Sequence, residues 1–380
     1  SFDPDANVQF GEGGAGTFSD GKLTTRISDP RCRWVLETLV RFGAPEDILV
    51  SAKPHIGTDL LRGVVRRLRD TVIAAGGEVR FRCPVQAVSL RDGAVRSVTT
   101  PQGEIPSPLL VCALGHSARD SFAMLHALGI RMEAKPFSAG VRIEHRQADV
   151  DRALYGKNAG HPLLPPGEYQ LSYREGERGV YTFCMCPGGV VVPAASADGE
   201  TVVNGMSVRA RDGKNANAAL VVGVGPGDFG EGPLDGMRFQ ERLERAAFRD
   251  GFSAPVQTAG RFLKGEAGAV FGNVRPTYAR GVYAADLESI LPPPVCQWLR
   301  TCLRRFGQRQ RGFDSEDTVL TGVETRTSSP VRILRGESLE ASVAGLYPCG
   351  EGAGYAGGIV SAAVDGVRVA ERILAQYAPF

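Results

Sequence analysis

Between Gly345 and Leu374 an apolar run, a glycine-rich turn and a long amphipathic segment follow one another without interruption. Gly345 to Cys349 reads as a buried strand, and Gly350-Glu351-Gly352-Ala353-Gly354 as a turn. Val360, Ala363, Val364, Val367, Ala370, Ile373 and Leu374 then recur at helical spacing on one face. Strand, glycine turn and helix in that order define one βα unit of an α/β sheet. Gly352 to Gly357 also fits the G-x-G-x-x-G fingerprint, whose physics needs this context. A tight turn brings backbone N–H groups against a pyrophosphate, and the dipole of the following helix favours its negative charge. A fingerprint that opens a dinucleotide fold is followed by a second strand and an acidic residue about 20 residues on. The sequence runs only to Phe380, so the expectation is a unit that closes such a fold.

The same pattern occurs at Gly11 to Gly16 and at Gly225 to Gly230. In the middle match Gly232-Pro233 breaks any helix that would follow, so a plain loop is expected there. The first match follows only Val8-Gln9-Phe10 and leads into Thr17-Phe18-Ser19-Asp20-Gly21-Lys22, again with no immediate helix. Gly16, Gly21 and Lys22 have the spacing of a phosphate-binding P-loop. Leu23, however, stands where a hydroxyl should hold magnesium, and Asp20 would face the phosphates, so nucleotide hydrolysis is not expected.

Trp34, Val35, Leu39, Val40 and Phe42 predict a first helix ending at Gly43. Leu60, Leu61, Val64, Val65, Leu68, Val72 and Ile73 predict a second, capped by Thr58 and stopped at Gly76-Gly77. The basic residues at 62, 66, 67 and 69 lie on its opposite face, read as solvated. Val79 to Leu90, Arg91-Asp92-Gly93 and Ala94 to Thr99 predict a β-hairpin, because Asp-Gly tolerates the positive φ of a tight turn. Leu109 to Leu114 predicts a strand buried on both faces, leading through Gly115-His116-Ser117 into a helix from Ala118 to Leu128. From about Ser138 short strands alternate with Pro and Gly clusters, interrupted by amphipathic helices near Asp235 to Arg249 and Val295 to Phe306, which predicts an α+β unit.

The near balance of 44 basic and 42 acidic residues gives no strong field for a polyanion, so nucleic acid is not an expected partner. Apolar runs are strand-sized, far below the roughly 20 residues of a membrane-spanning helix, so no membrane partner is expected either. The eight cysteines have neither zinc-type nor disulfide-framework spacing, which suits a reducing compartment and makes the cytoplasm the default location; no metal site is expected.

Long motifs in a fixed order carry a resemblance. Asn7 through Leu23, Leu114 through Asp120, Phe183-Cys184-Met185-Cys186-Pro187-Gly188-Gly189, Gly322 through Pro330, and Gly350 through Asp365 together resemble bacterial FAD-dependent dehydrogenases of the glutathione-reductase-like flavoprotein superfamily. The resemblance implies an FAD-dependent oxidoreductase acting on a small molecule, with NAD(P)H as a candidate electron donor. It implies α/β and α+β architecture: an incomplete Rossmann-like FAD-binding domain in residues 1–137 and 339–380, with an inserted α+β substrate domain in residues 138–338. It also implies cofactor contacts from Gly13, Gly14, Gly16, Thr17, Asp20 and Lys22, from Val85 in a strand meeting the adenine, and from Gly115, His116 and Ser117. At the closing unit it implies contacts from Gly350, Glu351, Gly352, Gly357, Gly358 and Ile359. The family's first strand, fingerprint and ribose-binding acid would lie upstream of Ser1, so the expectation is a fragment that holds FAD weakly by itself. A flavoprotein acting on tRNA and a non-catalytic scaffold are the alternative readings.

Three groups are candidates for chemistry. Cys184 and Cys186 share a strand face, either as a redox pair or as buried small hydrophobes. Arg326 would bind an anionic substrate group, or else pair with Glu324 or cap a turn. His116 would donate a proton, or else position the cofactor at the start of its helix.

Overall fold

The computed structural model describes residues 2–378, so Ser1 and Phe380, the outermost bounds of the expected domains, lie outside the described residues. The dominant element is a seven-stranded mixed sheet. Its strands run in the spatial order Val282–Ala284, Ala254–Thr258, Val319–Glu324, Phe137–Arg146, Asn215–Val224, Arg178–Cys186 and Ser172–Glu175. All neighbours are antiparallel except the first two, which are parallel.

The two longest strands, Phe137–Arg146 and Asn215–Val224, pair along their whole lengths in the centre. Their period-2 alternation sends Phe137, Ala139, Val141 and Ile143 to one face, with Ala216, Ala218, Leu220 and Val222. Helix Pro293–Arg309 covers that face with Val295, Leu299, Cys302, Leu303 and Phe306, the spacing of a single helical stripe. The opposite face is equally buried but polar: Ser138, Arg142, Glu144, Asn215, Asn217, Thr321 and Glu324 all point there. A polar face withdrawn from water must be satisfied internally, and the segments that satisfy it form the candidate site.

A second, smaller group of elements brackets this sheet in sequence. Leu110–Cys112 pairs in parallel with Leu346–Pro348, joining the two ends of the chain. A three-stranded meander, Ala87–Arg91, Ala94–Thr100 and Gly103–Pro106, packs Val88, Val95 and Val98 with Phe122 and Leu125 of helix Arg119–Ala127. Helices Arg31–Arg41 and Thr58–Ala74 place Val35, Leu39, Leu61 and Val64 in one core with Val360 and Val364 of the closing helix Ile359–Tyr377.

Four local expectations are corrected. The hairpin turn forms at Asp92 and Gly93, both at positive φ, but its first strand begins only at Ala87, and 78–82 is exposed irregular chain. Glycines at 76 and 77 and left-handed Arg82 prevent an extended run there. Val111, expected to be buried, is 45% exposed, because its strand has only one neighbour. In helix Thr58–Ala74 the expected apolar face buries Leu61 and Val64 but leaves Val72 and Ile73 half exposed. The middle glycine match contains a four-residue helical turn, Pro226–Phe229, that stops before Gly232-Pro233.

Candidate functional site

Three glycine-rich segments far apart in sequence meet beside the polar face. The first folds as a tight turn in which the Gly14 N–H donates to the Gly11 carbonyl at 3.0 Å, continuing as a helical turn over Gly14–Phe18. Gly13 has φ 81° and a Cβ there would overlap the Thr17 hydroxyl, so both backbone conformation and space require glycine. The Thr17 carbonyl accepts the Thr58 hydroxyl at 2.5 Å, which docks the turn on the start of helix Thr58–Ala74. A Cβ on Gly16 would sit 3.3 Å from Ile359 Cγ1, the first residue of the closing helix.

The second and third segments touch through their backbones. A side chain on Gly352 would overlap the carbonyl of Gly115, so the two turns approach as closely as glycine permits. Gly350 N–H donates to Asp365 at 2.8 Å, and Arg335 grips the same carboxylate through two nitrogens at 2.6 and 3.0 Å. The closing turn is thereby fixed by its own helix. Gly357 and Gly358, by contrast, face open space, and the helix after them has no side-chain cap. Its first N–H groups therefore remain available to a ligand.

His116 and Glu351 bring the two turns' side chains together, with Nε2 to Oε1 at 3.9 Å. Burial and the nearby Arg326 push the His116 imidazole down to about 4, so it is neutral at neutral pH. Burial pushes the Glu351 carboxyl up to about 7, opposed by Lys135. The Ser117 hydroxyl donates to Gln9 at 3.1 Å, tying the second segment to the chain just ahead of the first.

Behind Ser117 stands a buried network of two arginines and two glutamates. Arg326 lies on Glu244 through Nε at 3.1 Å and Nη2 at 2.6 Å, and Nη1 donates to Ser117 at 3.1 Å and Ser196 at 2.5 Å. Glu200 approaches the remaining N–H at 3.5 Å. Arg119 bridges Glu200 at 2.7 Å and Glu244 at 2.9 Å. Although fully buried, Glu244 is held well below the usual carboxylate range by its two arginines, whereas burial pushes Glu200 up. Four hydrogen bonds within the protein thus engage the Arg326 guanidinium, and the Glu200 carboxylate stands at 3.5 Å. Its partner is Glu244 rather than Glu324, and its charge is already matched by buried carboxylates.

A second cluster lies around the Cys184 and Cys186 strand. Asp20 is completely buried and bonds Ser207 and Arg211, and Lys22 donates to the Met185 carbonyl. Asp20 thus binds the segment that leads into strand Asn215–Val224, and Lys22 binds strand Arg178–Cys186, rather than either facing the space above the glycine turns. Arg142, wholly buried, pairs with Glu324 at 2.9 and 3.0 Å and also donates to Asn204, Asn217 and the Cys184 carbonyl. Val85 lies in irregular chain just ahead of the meander and packs its side chain against that core, not in a strand.

The structure therefore brings together Gly13, Gly14, Gly16, Thr17, Gly115, His116, Ser117, Gly350, Glu351, Gly352, Gly357, Gly358 and Ile359. It directs Asp20, Lys22 and Val85 elsewhere. The sequence reading missed Arg119, Arg142, Glu200, Arg211 and Glu244, and named Glu324 only as a partner for Arg326. A signal was present for one of them: Arg142, like Glu144 two residues on, alternates with apolar residues in a strand otherwise suited to a core. An open cleft of ≈ 760 Å³ at the edge strand Val282–Ala284, lined by Arg249, Asp250, Tyr283 and Asp286, shares no residue with either cluster. Among the described residues no group of His, Cys, Asp and Glu is placed to hold a metal ion, and no helix is long and apolar enough to cross a membrane.

The fold is mixed α/β, with a glycine turn packed against the start of a long helix that carries no side-chain cap. Residues 136–327, which contain the whole central sheet apart from its covering turns, match the family described as FAD-dependent protein, C-terminal domain-like. The chain is also 50% identical over 380 residues, 98% of its length, to an uncharacterised protein of Clostridium beijerinckii (strain ATCC 51743 / NCIMB 8052), of which it covers 71%. The chain belongs to this family of FAD-dependent proteins. Among solved structures it is similar to an oxidoreductase from Methanosarcina mazei, at 15% identity and TM-score 0.32 over 82% of this chain. It is likewise similar to glycine oxidase from Bacillus cereus ATCC 14579, at 11% identity and TM-score 0.32 over 86% of this chain. It spans 54% and 58% of those two chains, a little over half of each.

Proposed function

We propose that the chain forms the flavin- and substrate-bearing part of an FAD-dependent oxidoreductase acting on a small molecule, with a nicotinamide nucleotide as electron donor. In this reading residues 138–338 are a substrate domain inserted into a Rossmann-like FAD domain. The observation that carries it is the open space over Gly357 and Gly358 at the uncapped start of helix Ile359–Tyr377, bounded by the turns at Gly16 and Gly115. A Cβ at either glycine would project into that space, and the donors there are backbone N–H groups that suit phosphate or a flavin edge. The residues present fit the cofactor.

FAD held there would supply two-electron transfer between donor and substrate. The protein's own part is positioning and proton management. Gly358 and Ile359 would hold the cofactor through backbone N–H groups, with the Gly357 N–H donating to the Ser361 hydroxyl at 3.2 Å, and Gly13, Gly14 and Thr17 would shape the neighbouring wall. Glu351, titrating near neutrality, can hold a proton beside the neutral His116, whose Nε2 stands 3.9 Å from its Oε1. Arg326 acts as a positioning residue: it fixes Ser117, and with it the His116 turn, to the Glu244 carboxylate.

Anaerobic addition of NADH or NADPH to the flavin-loaded natural protein tests the reading. Bleaching of the flavin absorbance by either nucleotide is expected. Flavin that binds stoichiometrically but is reduced by neither nucleotide would overturn the assignment of the donor.

A further inference from the structure

The strand Arg178–Cys186 departs from regular geometry where its two cysteines lie. Cys186 is paired opposite Asn217 and Phe183 opposite Ala219, so three steps on this strand face two on its neighbour. That extra residue is a β-bulge, which bends the strand and re-aims its side chains. Cys184 occupies the bulge at φ 44°, a left-handed conformation that a residue with a Cβ rarely adopts. Such outliers persist only where the surroundings impose them, and they concentrate at functional sites.

The surroundings here are specific. Arg142 donates to the Cys184 carbonyl at 2.8 Å while four other bonds lock its guanidinium in place. Lys22 binds the next carbonyl, that of Met185. The Cys186 thiol turns back and donates to the Cys184 carbonyl at 3.4 Å. Cys184 is partly exposed and Cys186 fully buried. One thiol is thus reachable, the other waits behind it, and two cations stand beside the pair.

We propose that Cys184 and Cys186 form a thiol–disulfide exchange site for low-molecular-weight disulfides, with Cys184 as the attacking and Cys186 as the resolving thiol. The Cys184 thiolate attacks one sulfur of a disulfide RS–SR, forming a Cys184–SR mixed disulfide and expelling RS⁻. Cys186 gives up its proton and attacks the Cys184 sulfur, forming the Cys184–Cys186 disulfide and expelling the second RS⁻. Two protons convert the two leaving groups to RSH. The dithiol loses two electrons and the small disulfide gains them. The site stands on the bulge and its cations, independently of whether flavin occupies the glycine turns.

The charged and titratable groups facing Cys184 are Arg142, Lys22, Asp20 and Cys186, with Glu324 behind Arg142. Cys186 and the two cations outweigh burial and Asp20 and bring the Cys184 thiol down to about 6, while Cys186 is pushed up. A lower pKa also lowers intrinsic nucleophilicity. At pH 7 the two effects nearly cancel, leaving Cys184 only about two-fold faster toward a disulfide than an ordinary thiol of pKa near 8.5. At pH 5.5 the advantage grows to about 20-fold. The pH profile is therefore the discriminating readout.

The natural protein is equilibrated with oxidised glutathione, alkylated, digested and weighed. The expected result is a peptide spanning 183–189 lighter by two hydrogens, with Cys112, Cys296, Cys302 and Cys349 alkylated only after denaturation. C186S should instead accumulate glutathione on Cys184 and C184S should accumulate none on Cys186, while in the wild-type protein, with Cys186 in place, the rate of Cys184 modification should have its midpoint near pH 6. Failure of both cysteines to react in the native protein, or a Cys184 profile with the ordinary midpoint near 8.5, would overturn the proposal.

Discussion

Arg326 and Glu244 face each other fork to fork, Nε to Oε1 at 3.1 Å and Nη2 to Oε2 at 2.6 Å, with neither side chain exposed beyond a few per cent. Removing one partner strands the other's charge away from water. E244A and R326A should each lower unfolding free energy by about 3–5 kcal/mol in urea titrations. R326K should recover little, because lysine's three N–H groups cannot replace a planar fork that makes four hydrogen bonds. A loss below about 1 kcal/mol for both alanine variants would show that the pair is not a structural anchor.

The Arg142–Glu324 pair supports a different contrast. Alone, R142M leaves Glu324 buried without its cation, at a similar cost of about 3–5 kcal/mol, whereas R142M/E324M removes both charges and should be the milder variant. Urea unfolding of the two single variants and the double variant checks this. A double variant as unstable as the sum of the singles would contradict it.

Glu351 predicts a pH dependence of known sign. Its folded carboxyl titrates at about 7, above its ordinary value of 4.5, so the folded state binds the extra proton. Its contribution to stability is fully present below pH 4.5 and is lost as pH rises through 7. E351Q, which stays neutral, should flatten the fall in stability across that window. Unfolding curves for wild type and E351Q at pH 5 and pH 8 make the comparison, and identical slopes would show that Glu351 is not the group responsible.

The fold was legible where periodicity decides structure. The helices Arg31–Arg41, Thr58–Ala74, Asp235–Ala246, Pro293–Arg309 and Ile359–Tyr377 each show an apolar stripe in sequence, and the meander shows its Asp-Gly turn. Val111 and Val72 were misread because local pattern reports an apolar residue without reporting how many neighbours cover it. The glycine residues of the site were legible because turns need them, and Gly13 and Gly352 prove irreplaceable for space. The ion-pair networks were not. Arg326 meets Glu244 across 82 positions and Arg142 meets Glu324 across 182, pairings set by tertiary packing that leave no trace at short range. Asp20 and Lys22 show the converse: their segment lies at the glycine turns, but Asp20 turns to Ser207 and Arg211 and Lys22 to the Met185 carbonyl.

Glycine substitutions separate stability from ligand binding. G352A forces a Cβ into the Gly115 carbonyl and should cost roughly 1–3 kcal/mol. G358A meets nothing within 4 Å, so its cost is only the lower rank of alanine at an N-cap, about 0.5–1 kcal/mol. Thermal or urea unfolding distinguishes them.

The most direct measurement is the flavin content of the natural full-length protein and of its G358V variant, both purified alike and shown by urea unfolding to be folded. The wild type is predicted to carry FAD with its two visible absorbance bands. G358V, whose side chain would fill the open space at the start of helix Ile359–Tyr377, is predicted to lose the cofactor while keeping its fold. A folded G358V that retains FAD at the wild-type level would contradict the assignment of that space to the flavin.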